Sequence, residues 1–154
     1  MIEIIPNWHP VFVHFTVALI ATAMALFVGA YFLKKECLLD VALWNLWMGS
    51  VAAVFTVAAG IYAANTVHHD TPSHAAMLEH RMWALATFVV IMQLAIWGWV
   101  NQRKQRNRNT AFMLVCVLCG GLLLTTAWHG GELVYRYGLG VMSLPKGEAH
   151  EHSH

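Results

Sequence analysis

Four apolar runs dominate the chain, roughly Val11–Leu33, Val41–Ala64, Met82–Val100 and Ala111–Trp128. Each is about 18–24 residues long, and about 20 suffice for a helix to cross the hydrocarbon core of a bilayer. None alternates apolar and polar residues with period two, which argues against the strands of a membrane β-barrel. The segments between the runs are short and leave no room for a soluble domain. The pattern therefore predicts one all-α domain over residues 1–154, an integral membrane four-helix antiparallel bundle. Its helices are expected at roughly 10–33, 41–65, 72–102 and 110–135, followed by a flexible His-rich tail at 143–154.

Local signals sharpen the helix starts. Pro10 suits the first turn of the first helix, where its missing N–H costs nothing. Asp70 or Thr71 can cap the third helix, with Pro72 at its first position. No Lys or Arg precedes Lys34, so the first run lacks the basic start of a cleavable signal peptide.

Charge sets an orientation. Lys34 and Lys35 follow the first helix, and Arg103, Lys104, Arg106 and Arg108 lie between the third and fourth. The other side has only Arg81, Arg136 and Lys146, among the acids Glu3, Asp70, Glu79, Glu132, Glu148 and Glu151. By the positive-inside rule both termini lie outside the cytoplasm. In a bacterium this describes a multi-pass inner-membrane protein with its termini on the periplasmic side.

Composition agrees with a membrane protein and narrows the chemistry. Hydrophobic residues make up 58% of the chain and charged residues 11%, against about 25% charged in soluble domains. A net charge of +1 argues against nucleic acid as a partner. Three cysteines are too few for a disulfide scaffold. Cys116 and Cys119 share one face of an apolar helix, where thiols are inert. Cys37 falls in a cytoplasmic loop, where it stays reduced. No phosphate loop, Gly-x-Ser-x-Gly elbow or intramembrane carboxylate pair supports nucleotide or hydrolase chemistry. Gly49, Ala53, Thr56, Gly60 and Ala63 form a small-residue stripe, and Ala18, Ala21 and Ala25 a shorter one. Such stripes let helices pack closely, or leave room for a flat cofactor.

The ten histidines carry the strongest chemical signal. His9, His14, His68, His69, His74, His80, His129, His150, His152 and His154 all fall on the predicted periplasmic side. His14, His80 and His129 lie near the outer hydrocarbon boundary on three different helices, where an imidazole needs a partner. They invite three readings. They are interfacial side chains satisfied by water and backbone; axial ligands of a haem b; or a copper, zinc or iron site that also includes His9. No His-x-x-x-His pair exists, so any ligand set draws on several helices. Arg81 and Arg136 are placed to meet haem propionates, or to sit among headgroups. Trp8, Phe12, Phe15, Trp83 and Trp128 read as an interfacial aromatic belt. The tail His150-Glu151-His152-Ser153-His154 is a short metal-affine tract.

Two segments carry a family resemblance. The first is Ile5-Pro6-Asn7-Trp8-His9-Pro10-Val11-Phe12-Val13-His14-Phe15, followed by Ala18-Leu19. The second is Gly130-Gly131-Glu132-Leu133-Val134-Tyr135-Arg136-Tyr137-Gly138-Leu139-Gly140-Val141. Together they resemble the bacterial membrane proteins grouped as domain of unknown function 2231. That family opens on His-Pro-x-x-Val-His-Phe and closes on Gly-Gly-x-Leu-Val-Tyr-x-x-Gly-x-Gly-Val. The resemblance implies a four-helix inner-membrane protein with His9, His14, His80, Gly130, Gly131, Tyr135, Gly138 and Gly140 as family positions. Some members are joined to cytochrome c-type modules, which implies redox surroundings. Gly130 and Gly131 can end the last helix or permit close backbone approach. Gly138 and Gly140 allow a re-entrant turn over the outer mouth, from which Tyr135 or Arg136 can hydrogen-bond a ligand.

The expected function is that of an electron carrier or binding protein rather than a stand-alone enzyme. The leading expectation is a b-type cytochrome-like protein with bis-histidine haem near the periplasmic face. His14 and His80 are the first ligands, with His129 or His9 as alternatives. The inner half of the membrane has no histidine. Electron exchange is therefore expected on the periplasmic side, with quinol and a cytochrome c as partners. A copper-, zinc- or iron-binding protein using His9, His14, His80 and His129 is the second expectation. A cofactor-free subunit or assembly factor of a respiratory complex is the third, and a homo-oligomer is open in each case.

Overall fold

The computed structural model describes residues 8–67, 71–102 and 109–141. Four helices account for nearly all of them: α1 (His9–Leu33), α2 (Glu36–Thr66), α3 (Thr71–Gln102) and α4 (Thr110–Tyr135). Each is long and apolar enough to cross a membrane.

The boundaries follow from local chemistry. Pro10 sits in the first turn of α1, where a proline removes no hydrogen bond. Lys34 ends α1 in the left-handed region (φ 59°), and its N–H returns to the Ala30 carbonyl. Only Lys34 and Lys35 separate α1 from α2. Helix α2 thus begins at Glu36 rather than near residue 41. The chain reverses in two residues, and Glu36 places a carboxylate at the positive end of the helix dipole. Thr71 is already inside α3; its alternative as a cap, Asp70, lies outside the described residues. The Asn109 side chain caps α4 by accepting from the N–H groups of Ala111 (2.9 Å) and Phe112 (3.3 Å).

Helix α1 packs on α2 and α4, and α3 packs on α4 and α2. The core is a stack of Ile20, Phe27, Leu46, Ile91, Leu94, Cys116, Cys119 and Leu123. Gly49 admits Ile20: a Cβ at Gly49 would lie 2.6 Å from the Ile20 Cδ1. Gly98 likewise admits Leu43. The stripe on α2 is thus a packing surface, as expected. The stripe on α1 is not, because Ala18, Ala21 and Ala25 are exposed. Helix α1 instead buries Thr16, Ile20, Ala23, Met24, Phe27 and Ala30. It supplies bulk to the glycine notch of α2 rather than a second flat face.

Many large apolar side chains point outward, among them Phe15, Trp44, Met48, Leu124 and Trp128. In water such a continuous surface would drive aggregation. In a bilayer it is the solvated surface. Cys116 and Cys119 are free thiols buried side by side in the core, while Cys37 is exposed.

Candidate ligand site at one end of the bundle

His9 opens α1, and its ring lies against the end of α2. Its Nδ1–H donates to the Thr56 carbonyl at 3.0 Å. That carbonyl is bonded by an imidazole as well as by its own helix. The ring sits directly over Gly60, where a Cβ would come within 3.0 Å of Cε1 and Nδ1. A Cβ at 60 would make the imidazole give by a few tenths of an ångström.

His80 stands on α3 in the same relation to α4. Its ring lies over Gly130, whose Cβ would be 3.2 Å from Cε1 and 3.6 Å from Nδ1. The Thr126 backbone faces this ring without the hydrogen bond that His9 makes to Thr56. The fit is less complete, since the buried Nδ1 of His80 has no hydrogen-bond partner among the described residues. Gly130 therefore serves close approach inside α4 and does not end it. The helix runs on to Tyr135.

Threonines lock each helix pair just below its histidine. Thr56 gives its hydroxyl proton to the Ala52 carbonyl (2.9 Å) and so accepts from Thr16 (2.8 Å). Thr87 gives its proton to the Trp83 carbonyl (2.8 Å) and accepts from Thr126 (2.7 Å). Each hydroxyl has one proton, so the direction of both interhelical bonds is fixed.

His129 completes the group. Both His9 and His129 are close enough to act on His80 electrostatically. The His129 ring lies nearly parallel to the Trp83 indole, 6.2 Å between centroids and 8° between planes. Its Nε2 is 3.8 Å from Glu79 Oε1 and its Nδ1 is 3.6 Å from Glu132 Oε2. These are ion-pair distances, too long for hydrogen bonds.

The structure thus brings His9, His80 and His129 to one end of the bundle. His14 stands apart: it is exposed, and its Nδ1–H bonds the Pro10 carbonyl of its own helix. Five residues separate it from His9, which turns it to another face of α1. Arg81 is exposed. Arg136 is exposed and bound to Glu132 (Nη1–Oε1 2.8 Å), which raises its guanidinium pKa above the ordinary value. Tyr135 is 92% exposed. The closing glycines make a helix stop at the end of α4. Gly138 and Gly140 adopt positive φ (62° and 80°). The N–H groups of Gly138 and Leu139 close the end of α4 on the carbonyls of Val134 and Leu133, a left-handed helix stop.

Among the described residues no group of three or more histidines, cysteines or acids could hold a metal ion. The expected ion site of His9, His14, His80 and His129 therefore lacks its ligand set there. His68, His69 and the tail histidines lie outside the described residues. The sequence marks Thr56 and Gly60 only as members of the small-residue stripe and gives no sign of Thr16, Thr87 or Thr126. Their partnership with the histidines needed the helix rotations.

A family model described as a predicted membrane protein, DUF2231, matches residues 6–143. No curated protein and no solved structure matches the chain.

Proposed function

The chain belongs to the family of predicted membrane proteins described as DUF2231, and we propose that it is a membrane-bound b-type cytochrome-like electron carrier holding one haem between His9 and His80. The observation that carries this reading is the paired seating of two imidazoles at one end of a four-helix bundle. Each comes from its own helix, and each rests on a glycine of the neighbouring helix. A haem needs two such groups and no third ligand, so the want of a three-ligand ion cluster does not count against it.

The residues suit the group. The Nδ1 of His9 is committed to a backbone carbonyl, which fixes the tautomer and leaves Nε2 as the basic nitrogen. The unbonded Nδ1 of His80 is a polar atom whose burial costs free energy until the ring adjusts. When bound, haem would supply one-electron exchange. The protein's own part is to hold two neutral imidazoles and to back them with glycine and threonine. His129 is a neighbour of the site in this reading rather than a ligand.

The placement of Lys34, Lys35 and the basic segment 103–108 supports an antiparallel bundle with both termini, and this site, facing the periplasm. Quinol and a periplasmic cytochrome c are then the natural electron partners. The test is a pyridine haemochrome assay on protein purified in mild detergent. One haem b per chain is expected. Protein that stays colourless after expression with added haem overturns the reading.

A further inference from the structure

The two histidines are related by more than proximity. His80 follows His9 by 71 positions, and Thr87 follows Thr16 by the same interval. Thr126 follows Thr56 by 70 positions, as Gly130 follows Gly60. These eight residues are the ones that build the two seats. In each hairpin the histidine opens a helix face, and a threonine lies seven residues below it. The facing helix answers with a threonine and, four residues later, a glycine. The interhelical threonine bonds are 2.8 Å and 2.7 Å.

The same offsets carry through the core. Thr16, Ile20, Ala23, Met24 and Phe27 of α1 are buried, and so are Thr87, Ile91, Leu94, Ala95 and Gly98 of α3. Leu46, Gly49 and Ala53 of α2 are buried, and so are Cys116, Cys119 and Leu123 of α4. Apart from Ile20 and Ile91, the equivalence is one of position rather than residue type: the bulky Phe27 answers to Gly98, and Gly49 to Cys119. Repeats that run the same way through a membrane are related by an axis along its normal.

We infer that the bundle is two repeats of one helical-hairpin unit, α1–α2 and α3–α4, and that His9 and His80 are the equivalent halves of a single two-imidazole site, each positioned by its own repeat's glycine and threonine pair. Gly60 and Thr56 position His9; Gly130 and Thr126 position His80. The ligand class, which rests on the reading above, is a metalloporphyrin, which His9 of one repeat and His80 of the other would hold. The repeats diverge at their outer rim. His129, Glu79 and Glu132 of the second correspond to Ala59, Trp8 and Tyr62 of the first, so the charged surroundings belong to one side only.

The test uses full-length protein labelled with ¹⁵N-histidine in detergent micelles, with hemin as the ligand probe. In ligand-free protein Gly60→Ala should shift the ring nitrogens of His9, and Gly130→Ala those of His80, each sparing the partner ring. Both should weaken hemin binding by a similar factor, on the order of tenfold, about 1.4 kcal/mol. Thr56→Val and Thr126→Val form a milder matched pair should either glycine variant fail to fold. A shift produced in one repeat with none in the other overturns the equivalence. So does hemin binding that one glycine variant weakens and the other leaves unchanged. Matched shifts without hemin uptake by the wild type uphold the repeat and overturn the haem reading.

Discussion

Ile20 of α1 enters the notch that Gly49 leaves in α2, so closely that a Cβ at 49 would lie 2.6 Å from Cδ1 and 2.9 Å from Cγ1. Both residues are buried. This contact fixes the depth at which the first hairpin closes, and with it the height of His9 over Gly60. Overpacking a filled interior costs about 1–3 kcal/mol. Gly49→Val should therefore destabilise the bundle by that amount in a detergent unfolding titration. Adding Ile20→Ala should restore part of the loss, since the intruding methyls then have room. Equal loss in the single and double variants would show that the notch is not the point of contact.

The threonine bonds are open to a second test. Interhelical hydrogen bonds in membrane proteins are worth about 0.6 kcal/mol on average and at most about 1.7. Thr87→Val and Thr126→Val should each cost that order, and the double variant little more than either alone. Full additivity in a double-mutant cycle would mean that the 2.7 Å contact carries no coupling.

Cysteine accessibility tests the topology. Cys37 is exposed, whereas Cys116 and Cys119 are buried. A membrane-permeant maleimide should label Cys37 in intact cells and spare the other two until the protein is unfolded. An impermeant maleimide should reach Cys37 only after the inner membrane is opened. Labelling of Cys37 from the outside would invert the bundle and put the histidine end in the cytoplasm.

Gly130 is confined by its neighbour rather than by its own backbone, for it lies within α4 and gives its space to the His80 ring. Gly131, beside it, approaches nothing closer than the Tyr135 ring at 4.0 Å. Gly131→Ala should leave ligand content unchanged and raise helix stability slightly, because alanine is the better helix former by about 1 kcal/mol. A loss of ligand content in Gly131→Ala equal to that in Gly130→Ala would remove the special role of the glycine over His80.

The apolar runs made the four helices legible, because a span of bilayer length leaves few alternatives. The start of α2 was harder to place. Glu36 and Asp40 look like loop residues until the turn at Lys34 is seen to be complete in two residues. The gathering of histidines at one end was legible from their positions, but the right member of the first helix was not. His9 and His14 are both near the boundary, and only the rotation of α1 sends His9 to Gly60 and leaves His14 exposed. The internal repeat was hidden for a related reason. His9-Pro10-Val11-Phe12-Val13-His14-Phe15-Thr16 and His80-Arg81-Met82-Trp83-Ala84-Leu85-Ala86-Thr87 share only their first and last residues. Lipid-facing positions accept any apolar side chain, so identity is kept at the seat and at the core pair Ile20 and Ile91.

The central claim is that His9 and His80, not His14, hold one ligand between them. The most direct measurement is the oxidised and dithionite-reduced visible spectrum of purified wild type beside His9→Ala, His80→Ala and His14→Ala. The account predicts a sharp Soret band and a resolved reduced α-band in the wild type and His14→Ala, with both bands lost or shifted to a high-spin form in His9→Ala and His80→Ala. Unaltered low-spin spectra in His9→Ala or His80→Ala, or their loss in His14→Ala alone, would contradict it.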